Sequence, residues 1–396
     1  WETDTMVGDW FAWSSVSADA TADLAGAAGL HQVLREYCYN KVLVARPTMP
    51  MGRDIGYLPG DIKDKMFDKL ASEFFYIRCM AGPMLRKFMD FITYEYMIEN
   101  LMMILKATSK GGRADLAEIM EQCHPLGRLD DNTMRSIAAF EHTPEGYTNL
   151  YRTVLVETPI GKYFERFLIE KEEEARKMTV EERQRILAED VKENTTILET
   201  SLIKLYLEDF YAFCQECGGE TWIMMKEILE IRPDAATINI TLNSFGTKLN
   251  EPALRKKRAD LYPSFGKLYM HGIACCRAGD PQTSHADIVN CAGFPELVRA
   301  LNSNAPEWRG VLDNENDDFT QAHRSREVML CEVAFEGQFS FACFYAYVKL
   351  KEQEIRNVEW ISNCTILGQP TIMKENFIGI FDMSSPWRTG ALADAH

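Results

Sequence analysis

FSFACFYAYVKLKEQEIRNVEWI, residues 339–361, is a continuous helical pattern in which aromatic residues run without a turn residue into a charged segment. At about 100° per residue, one apolar stripe of such a helix contains Phe341, Tyr345, Val348 and Ile355. Glu352 falls on the same stripe, where burial of an unpaired carboxylate would be costly. Arg356 follows one turn later, in the order that favours an i,i+4 ion pair. Two interpretations stay open: a core helix with a satisfied ion pair, or a functional carboxylate.

The same pattern occurs a second time in the chain. Residues 95–104 (EYMIENLMMI) and 352–361 (EQEIRNVEWI) both fit Glu-x-x-Ile-x-Asn-(Leu/Val)-x-x-Ile. Aromatic residues precede both copies, and Glu95 also lies close to an apolar stripe. A fainter third copy begins near Tyr206, where Glu208-Asp209-Phe210 resembles Met89-Asp90-Phe91. Such a repeat predicts helical units built on one plan, stacked or arranged around an axis.

Length and charge limit the class of protein. The chain has 396 residues and a formal net charge of −16. It is long enough for two or three domain-sized units, and it is too acidic for nucleic acid as a main partner. The basic cluster Arg255–Arg258 is predicted to be a solvated helix face rather than a localisation or lipid signal. No apolar run approaches the roughly 18 residues of a membrane span, so we expect no transmembrane segment.

The number of cysteines and the identity of residue 1 are evidence about the cellular compartment of the protein. The eleven cysteines are an odd number scattered along the chain, which predicts a reducing, cytosolic compartment. Residue 1 is Trp rather than Met, so we expect the true N terminus to be missing, and a targeting peptide stays open.

Helical periodicity dominates the chain and predicts an all-α fold. Asp61–Ile104 is a nearly continuous amphipathic pattern broken around Gly82-Pro83, and Pro and Gly stop a further helix at residues 124–127. Thr237–Leu242 (TINITL) is the single convincing β-like run and is too short to change the fold class. We divide the chain into an N-terminal segment 1–60, helical units 61–127, 128–262 and 263–381, and a tail 382–396. The charged stretch 165–192 is predicted to be a solvent-exposed insertion.

The sequence contains little evidence for a catalytic site. Cys214-x-x-Cys217 has the spacing of redox and zinc sites, but no second pair completes four ligands, and buried cysteines are common in such helices. Asp313-x-Asn-x-Asp317 begins like a calcium loop but lacks its glycine and final glutamate. The motifs GxxxxGK(S/T), GxGxxG, HExxH and GxSxG do not occur. We expect no cofactor, and a metal-dependent enzyme using Cys214 and Cys217 would need ligands that the sequence does not supply.

Several longer phrases recur together in one protein family. They are FMDFITY (88–94), CHPLG (123–127), Thr158-Pro159 followed by Tyr163-Phe164, FYAFC (210–214), ITLNSFG (240–246), Leu268-Tyr269 and FYAYVKLKEQE (344–354). In this order they resemble the family of d subunits of V-type proton ATPases, which is related to the C subunits of archaeal rotary ATPases. The resemblance runs from about residue 60 to Phe381, and residues 1–60 match poorly.

The resemblance implies a fold and a set of partners. The fold is a funnel of three similar helical units around a pseudo-threefold axis, in agreement with the repeat. The function is a non-catalytic part of a rotary motor, which transmits torque from ATP hydrolysis to proton transport. The expected partners are the proteolipid c-ring and the D and F subunits of the central stalk, with the membrane-sector a subunit as a further candidate. The expected location is the cytoplasmic face of acidic endomembranes, without a membrane span of its own.

By motif position, the resemblance implies five candidates for coupling or assembly: Phe91, His124, Glu352, Trp360 and Cys364. Arg356 is a sixth candidate, as the expected ion-pair partner of Glu352. Core packing is the alternative for Phe91, and capping of the preceding helix C terminus is the alternative for His124. Trp360 is the best interface candidate because it projects away from the stripe that contains Glu352. Cys364 is expected to be a buried thiol. Asn363 stands where relatives usually carry an acid, which puts an essential charge there in doubt.

One alternative belongs to the class of binding modules. A helical-repeat adaptor unrelated to proton pumping would explain the repeat and the acidity. It would not explain the collinear motifs.

Overall fold

The computed structural model describes most of the chain between residues 59 and 381. The described ranges are 59–109, 119–120, 122–129, 132–133, 135, 158–171, 195–269, 285, 288–305, 308–309, 311–312, 319–337, 339–367, 372 and 376–381. The predictions for the N-terminal segment, for most of the charged insertion and for the tail fall outside these ranges.

The fold is all-α, as predicted. The main α-helices of the described residues are α1 Pro59–Met80, α2 Pro83–Ser109, α3 Gly161–Lys171, α4 Thr195–Cys217, α5 Gly219–Ser244, α6 Arg255–Asp260, α7 Phe294–Asn304, α8 Phe319–Glu336 and α9 Ala342–Leu367. Short 3₁₀ turns lie at Pro125–Gly127, Lys248–Asn250 and Ile288–Asn290. The predicted break at Gly82-Pro83 is confirmed. None of the described helices has an apolar stretch long enough to cross a membrane.

Contacts divide the chain into two compact units. The terminal unit combines residues 1–82 with 320–396, and the middle unit is residues 83–319. The finer division into three similar helical units stays a prediction.

In the terminal unit, α1 packs along α9. One face of α1 carries apolar residues at a spacing of four, which in a helix brings them onto one stripe, and all are buried: Ile62, Met66, Leu70 and Phe74. From Tyr345 to Ile355, α9 is buried on every side, including its charged residues.

The middle unit is built around α4, which packs on α2, α3 and α5. Its core is rich in aromatic rings because α2 and α4 both direct phenylalanines inward, and Phe88, Phe91 and Phe210 are almost fully buried. The rings of Phe88 and Phe210 lie 5.5 Å apart, and those of Phe91 and Phe210 lie 5.4 Å apart and nearly parallel.

The β-like interpretation of TINITL is wrong, because residues 237–242 lie inside α5. Burial explains the difference: Thr237, Ile238 and Thr241 are all buried, and the Thr241 hydroxyl donates to the Thr237 carbonyl 2.7 Å away. The helix thus satisfies a buried threonine internally and overrides the local β-propensity.

The prediction of a solvated basic face at Arg255–Arg258 is wrong for Arg258, which is fully buried. Its guanidinium donates to Ser244 Oγ at 2.8 Å, and to the carbonyls of Val289 (2.8 Å) and Cys291 (3.0 Å). A cation with several convergent acceptors can be buried without a carboxylate, and here it ties the end of α5 to the turn at Ile288–Asn290.

Candidate functional site

In each repeat copy, the asparagine side chain forms hydrogen bonds with both the backbone N–H and the backbone carbonyl of one residue in a later segment of the chain. Asn100 of α2 accepts a bond from the His124 N–H (2.7 Å) and donates one to the His124 carbonyl (2.9 Å). Asn357 of α9 donates to the Ile378 carbonyl (2.6 Å) and accepts from the Ile378 N–H (3.4 Å). We call these contacts the asparagine clamps. Each works because a side-chain carboxamide carries a donor and an acceptor side by side, as a peptide group does.

Both clamps are inaccessible to water. Asn100 and Asn357 are each 2% exposed. Their side-chain amides form the hydrogen bonds that the docked backbone would form with water in the unfolded chain. Removal of the side chain or of the docked backbone would therefore leave a buried polar group without a hydrogen bond. The spacing that the two repeat copies share therefore has a structural cause.

The first clamp is reinforced by close packing of the motif 123–127 on α2. The His124 ring stacks on Tyr96, with centroids 4.2 Å apart and planes 15° apart. A Cβ at Gly127 would lie only 2.3 Å from the backbone of Tyr96, so glycine is required here. His124 Nδ1 accepts a bond from the Leu126 N–H (3.2 Å) and caps the 3₁₀ turn that follows. It therefore caps the turn that follows it.

An aspartate of α5 holds a further docked segment in the middle unit. Asp234 is 1% exposed, and its Oδ1 accepts from the Leu268 N–H (3.1 Å) while Oδ2 accepts from Trp308 Nε1 (3.2 Å). Gly266 comes so close that a Cβ would lie 2.5 Å from Asp234 Oδ1, and its φ of +105° also favours glycine. The fainter copy predicted near Tyr206 does not include this contact, and no sequence pattern pointed to Asp234.

The two repeated glutamates are buried, as the apolar stripes predict, but they have different partners. Glu95 forms a bidentate pair with Arg232 of α5, in which Nη1 lies 2.9 Å from Oε2. Glu352 pairs with Lys349 one turn before it, at 3.4 Å. The expected pair with Arg356 is not formed, because Arg356 Nε donates to Gln353 Oε1 at 3.2 Å.

The α1–α9 interface contains a second group of buried charges. Lys351 pairs with Glu354 at 2.7 Å, and Glu354 is fully buried. The Tyr347 hydroxyl donates to Glu73 of α1. Burial raises the pKa of Tyr347 well above its ordinary value, and the neighbouring Glu73 carboxylate raises it further. The phenol therefore stays protonated and acts as a donor at every physiological pH.

Phe91 belongs to the aromatic core, which is the structural alternative stated for it. It is 4% exposed and stacks on Phe213 with centroids 4.7 Å apart. Lys162 of α3 places its ammonium 4.9 Å from the Phe91 ring and pairs with Asp209 of α4. This cation–π contact ties α3 to the helices beneath it. Phe91 and the clamp residue Asn100 are nine positions apart and so lie on opposite sides of α2.

The C-terminal half of α9 carries the other candidates. Trp360 and Arg356 are partly exposed, as is Asn363 one turn further on. Glu359, on the same side, accepts a bond from Lys63 of α1 at 3.1 Å. Cys364 is 1% exposed, which confirms the expected buried thiol.

A family model described as ATP synthase (C/AC39) subunit matches residues 25–376 of the chain. The chain belongs to this family. It is 35% identical to the d subunit of the V-type proton ATPase of Neurospora crassa over 327 residues, which cover 80% of this chain and 81% of that protein. It is also 35% identical to the d subunit of Dictyostelium discoideum, over 81% of this chain and 79% of that protein. The probable d subunit of Oryza sativa is 33% identical over 81% and 80% of the two chains.

In this C/AC39 chain, Cys214 and Cys217 lie in surroundings that disfavour the thiolate form, which both metal binding and redox chemistry require. Burial raises the pKa of the Cys214 thiol well above its ordinary value, and burial also raises the pKa of Cys217. Such thiols are weak nucleophiles and weak metal ligands. Within the described ranges, no group of three or more histidine, cysteine or acidic side chains is arranged to hold a metal ion.

Proposed function

We propose that the chain is the d subunit of a V-type proton ATPase, a non-catalytic part of the membrane sector that couples the central rotor shaft to the proteolipid c-ring. The observation that supports this most strongly is the alignment with proteins named as d subunits of V-type proton ATPases over about four-fifths of both chains.

The proposed partners are the proteolipid c-ring and the D and F subunits of the central stalk, with the membrane-sector a subunit as a further contact. The proposed location is the cytoplasmic face of acidic endomembranes of the vacuolar, lysosomal or endosomal type. A funnel of three similar helical units, open to the shaft at one end, is the shape that this role requires.

A coupling part has to transmit torque without deforming, so its helices must not slide on one another. The asparagine clamps and the Glu95–Arg232 pair are directional contacts between segments distant in sequence, and directional contacts resist sliding better than apolar packing does. Their burial keeps water from competing for them. This stiffness supports the proposed role.

The six candidate residues have two kinds of role in this proposal. Phe91, His124, Glu352 and Cys364 act from inside the units, by holding helices and docked segments in register. Trp360 and Arg356 are the partly exposed pair that can contact a partner, since aromatic and arginine side chains are enriched at protein interfaces.

Purification from native membranes tests the proposal. When membranes are solubilised in mild detergent and this chain is isolated by an affinity tag, the c-ring and the D subunit should co-purify in fixed proportion. Recovery of the chain free of both would contradict the proposal and favour the helical-repeat adaptor. Stoichiometric zinc in the purified chain would instead favour a metal-dependent protein.

A further inference from the structure

Two phenylalanines of the terminal unit have a left-handed backbone conformation. Phe339 has a φ of 62° and Phe381 a φ of 54°, and within the described ranges they are the non-glycine residues with positive φ. This conformation is unfavourable for a bulky side chain, because its Cβ crowds the following carbonyl oxygen. Strain of this kind persists where other contacts compensate for it.

For Phe381 the compensation lies inside the chain. Its side chain is 7% exposed and packs on Phe335, with ring centroids 5.9 Å apart. Its backbone N–H donates to the buried carboxylate of Glu332. Burial of the ring and this bond together hold the strained residue in place.

For Phe339 the ring gains almost nothing from packing in the isolated chain, because it is 98% exposed. It lies in the short turn between α8, which ends at Glu336, and α9, which begins at Ala342. The next residue fixes the turn, since the buried Ser340 hydroxyl accepts a bond from the Ala342 N–H at 3.1 Å. A strained conformation therefore holds an almost fully exposed aromatic ring outward, and no packing of the ring compensates for the strain.

The surroundings of Phe339 indicate the chemistry of its partner. Val333, which is 40% exposed, and the exposed Glu336 precede it at intervals of three residues. The last turn of α8 contains no basic residue, and the partial negative charge of a helix C terminus adds to Glu336. This combination disfavours an anionic lipid surface and also a second copy of an acidic chain. It favours an apolar protein pocket bordered by lysine or arginine.

We infer that Val333, Glu336 and Phe339 form a docking surface, here called the hairpin tip, whose Phe339 ring inserts into an apolar, basic-rimmed pocket of a neighbouring protein. The partner's identity rests on the proposed function: it is a component of the ATPase membrane sector. Docking buries the ring and so compensates for the strain, as Phe335 does for Phe381 within the chain.

The first arm of the test compares the stability of two matched variants of the full chain. Asparagine tolerates a left-handed backbone better than phenylalanine does. Phe339→Asn should therefore leave the thermal unfolding midpoint unchanged or raise it, whereas Phe381→Asn should lower it. A fall in the midpoint of Phe339→Asn equal to that of Phe381→Asn would overturn the inference, since it would give Phe339 an internal structural role.

The second arm measures binding to the purified ATPase membrane sector from which this chain has been stripped. Burial of one phenylalanine ring changes an association constant by about tenfold or more. Phe339→Asn should therefore bind at least about tenfold more weakly than wild type. Glu336→Lys should also weaken binding, and the loss should be smaller at high salt.

The alternatives give different results in the same experiment. Equal binding of wild type and Phe339→Asn would overturn the hairpin tip while leaving the proposed function intact. Phe339-dependent binding to phosphatidylcholine–phosphatidylserine vesicles, or Phe339-dependent self-association, would overturn it in favour of lipid or a second copy. Failure of the wild-type chain itself to bind the stripped sector would contradict the proposed function and this inference together.

Discussion

At the residue scale, the account depends on a few buried polar groups that each hold a distant piece of backbone. Asn100 and Asn357 do so with one carboxamide each, and Asp234 does so with one carboxylate. These contacts are specific because the wrong side chain leaves a donor or an acceptor unpaired in the core. Loss of one of these side chains should therefore lower the free energy of unfolding by more than the number of its hydrogen bonds suggests.

Removal of the second clamp should destabilise the chain. Asn357→Ala deletes both bonds to Ile378 and leaves a buried N–H and carbonyl without a partner, which should lower the free energy of unfolding by about 2–4 kcal/mol. Asn363→Ala, at a partly exposed position of the same helix, is the matched control and should cost less than about 0.5 kcal/mol. Urea unfolding followed by circular dichroism measures both. Similar losses in the two variants would show that the clamp contributes nothing specific.

A single methyl group should disrupt the packing of the motif 123–127. Gly127→Ala would place a Cβ 2.3 Å from the Tyr96 backbone, and overpacking against backbone costs about 1–3 kcal/mol or more. Gly82→Ala has nothing within 4 Å of its added Cβ, and it should be near neutral. Denaturation midpoints of the two variants distinguish them, and a neutral Gly127→Ala would mean that the docked motif moves freely off α2.

The stability of the middle unit should fall in mild acid because of His285. Burial lowers the pKa of His285 below its ordinary value of 6.5, and the charge of Lys204 lowers it further, while the bond to the Pro263 carbonyl opposes this shift. The unfolded chain therefore takes up a proton before the folded chain does. The stability that the neutral ring contributes is complete above about pH 6.5 and is lost as pH falls towards the depressed pKa.

The measurement for His285 is the pH dependence of the urea midpoint between about pH 7 and pH 5. His285→Gln cannot titrate, so its midpoint should fall less over this interval than that of wild type. Parallel curves for the two proteins would contradict the assignment.

At the scale of elements, two ion pairs connect α2 to its neighbours and differ in burial. Glu95 and Arg232, between α2 and α5, have side chains 7% and 15% exposed. Lys106 and Glu199, between α2 and α4, have side chains 39% and 29% exposed. Removal of one partner of a buried pair leaves an uncompensated charge, whereas an exposed pair is screened by water.

Glu95→Gln should therefore lower the free energy of unfolding by about 3 kcal/mol, because it removes the buried carboxylate that pairs with the guanidinium of Arg232. Lys106→Met should cost less than about 1 kcal/mol. Equilibrium denaturation of both single variants and of Glu95→Gln/Arg232→Met tests this, since the double variant should recover part of the loss. Additive losses in the double variant would mean that the two side chains are not coupled.

Periodicity was enough to predict the helices, the break at Gly82-Pro83 and the buried glutamates, because each depends on neighbours within about one turn. The partners of those glutamates were not predictable. Glu95 finds Arg232 in another helix, and Glu352 bonds to Lys349 rather than to Arg356. Arg258 and TINITL were misassigned for the same reason, since tertiary burial overrode a basic run and a β-propensity.

At the scale of the whole molecule, the buried directional contacts and the exposed aromatic side chains lie at different places in the described part of the chain. Its described thiols are buried or lie within ordinary helices. The directional contacts lie within units, and the partly exposed Trp360 and the exposed Phe339 lie at places where a partner can reach them. Directional contacts of this kind suit the stiffness that the proposed coupling role requires.

Glu352 should affect coupling at this scale. Glu352→Gln removes the buried carboxylate that pairs with Lys349, so we expect assembled complexes that transport fewer protons per ATP hydrolysed, or fewer assembled complexes. Glu216→Gln, at an exposed position of α4, is the control and should match wild type. Equal proton transport by the two variants would contradict a coupling role for Glu352.

The most direct measurement is ATP-driven proton uptake by membrane vesicles from cells depleted of this chain, before and after the purified chain and the soluble ATPase sector are added back. The account predicts no uptake above background without the chain, and restored uptake when chain and soluble sector are supplied together. Equal uptake with and without the chain would contradict the claim that it couples the shaft to the c-ring.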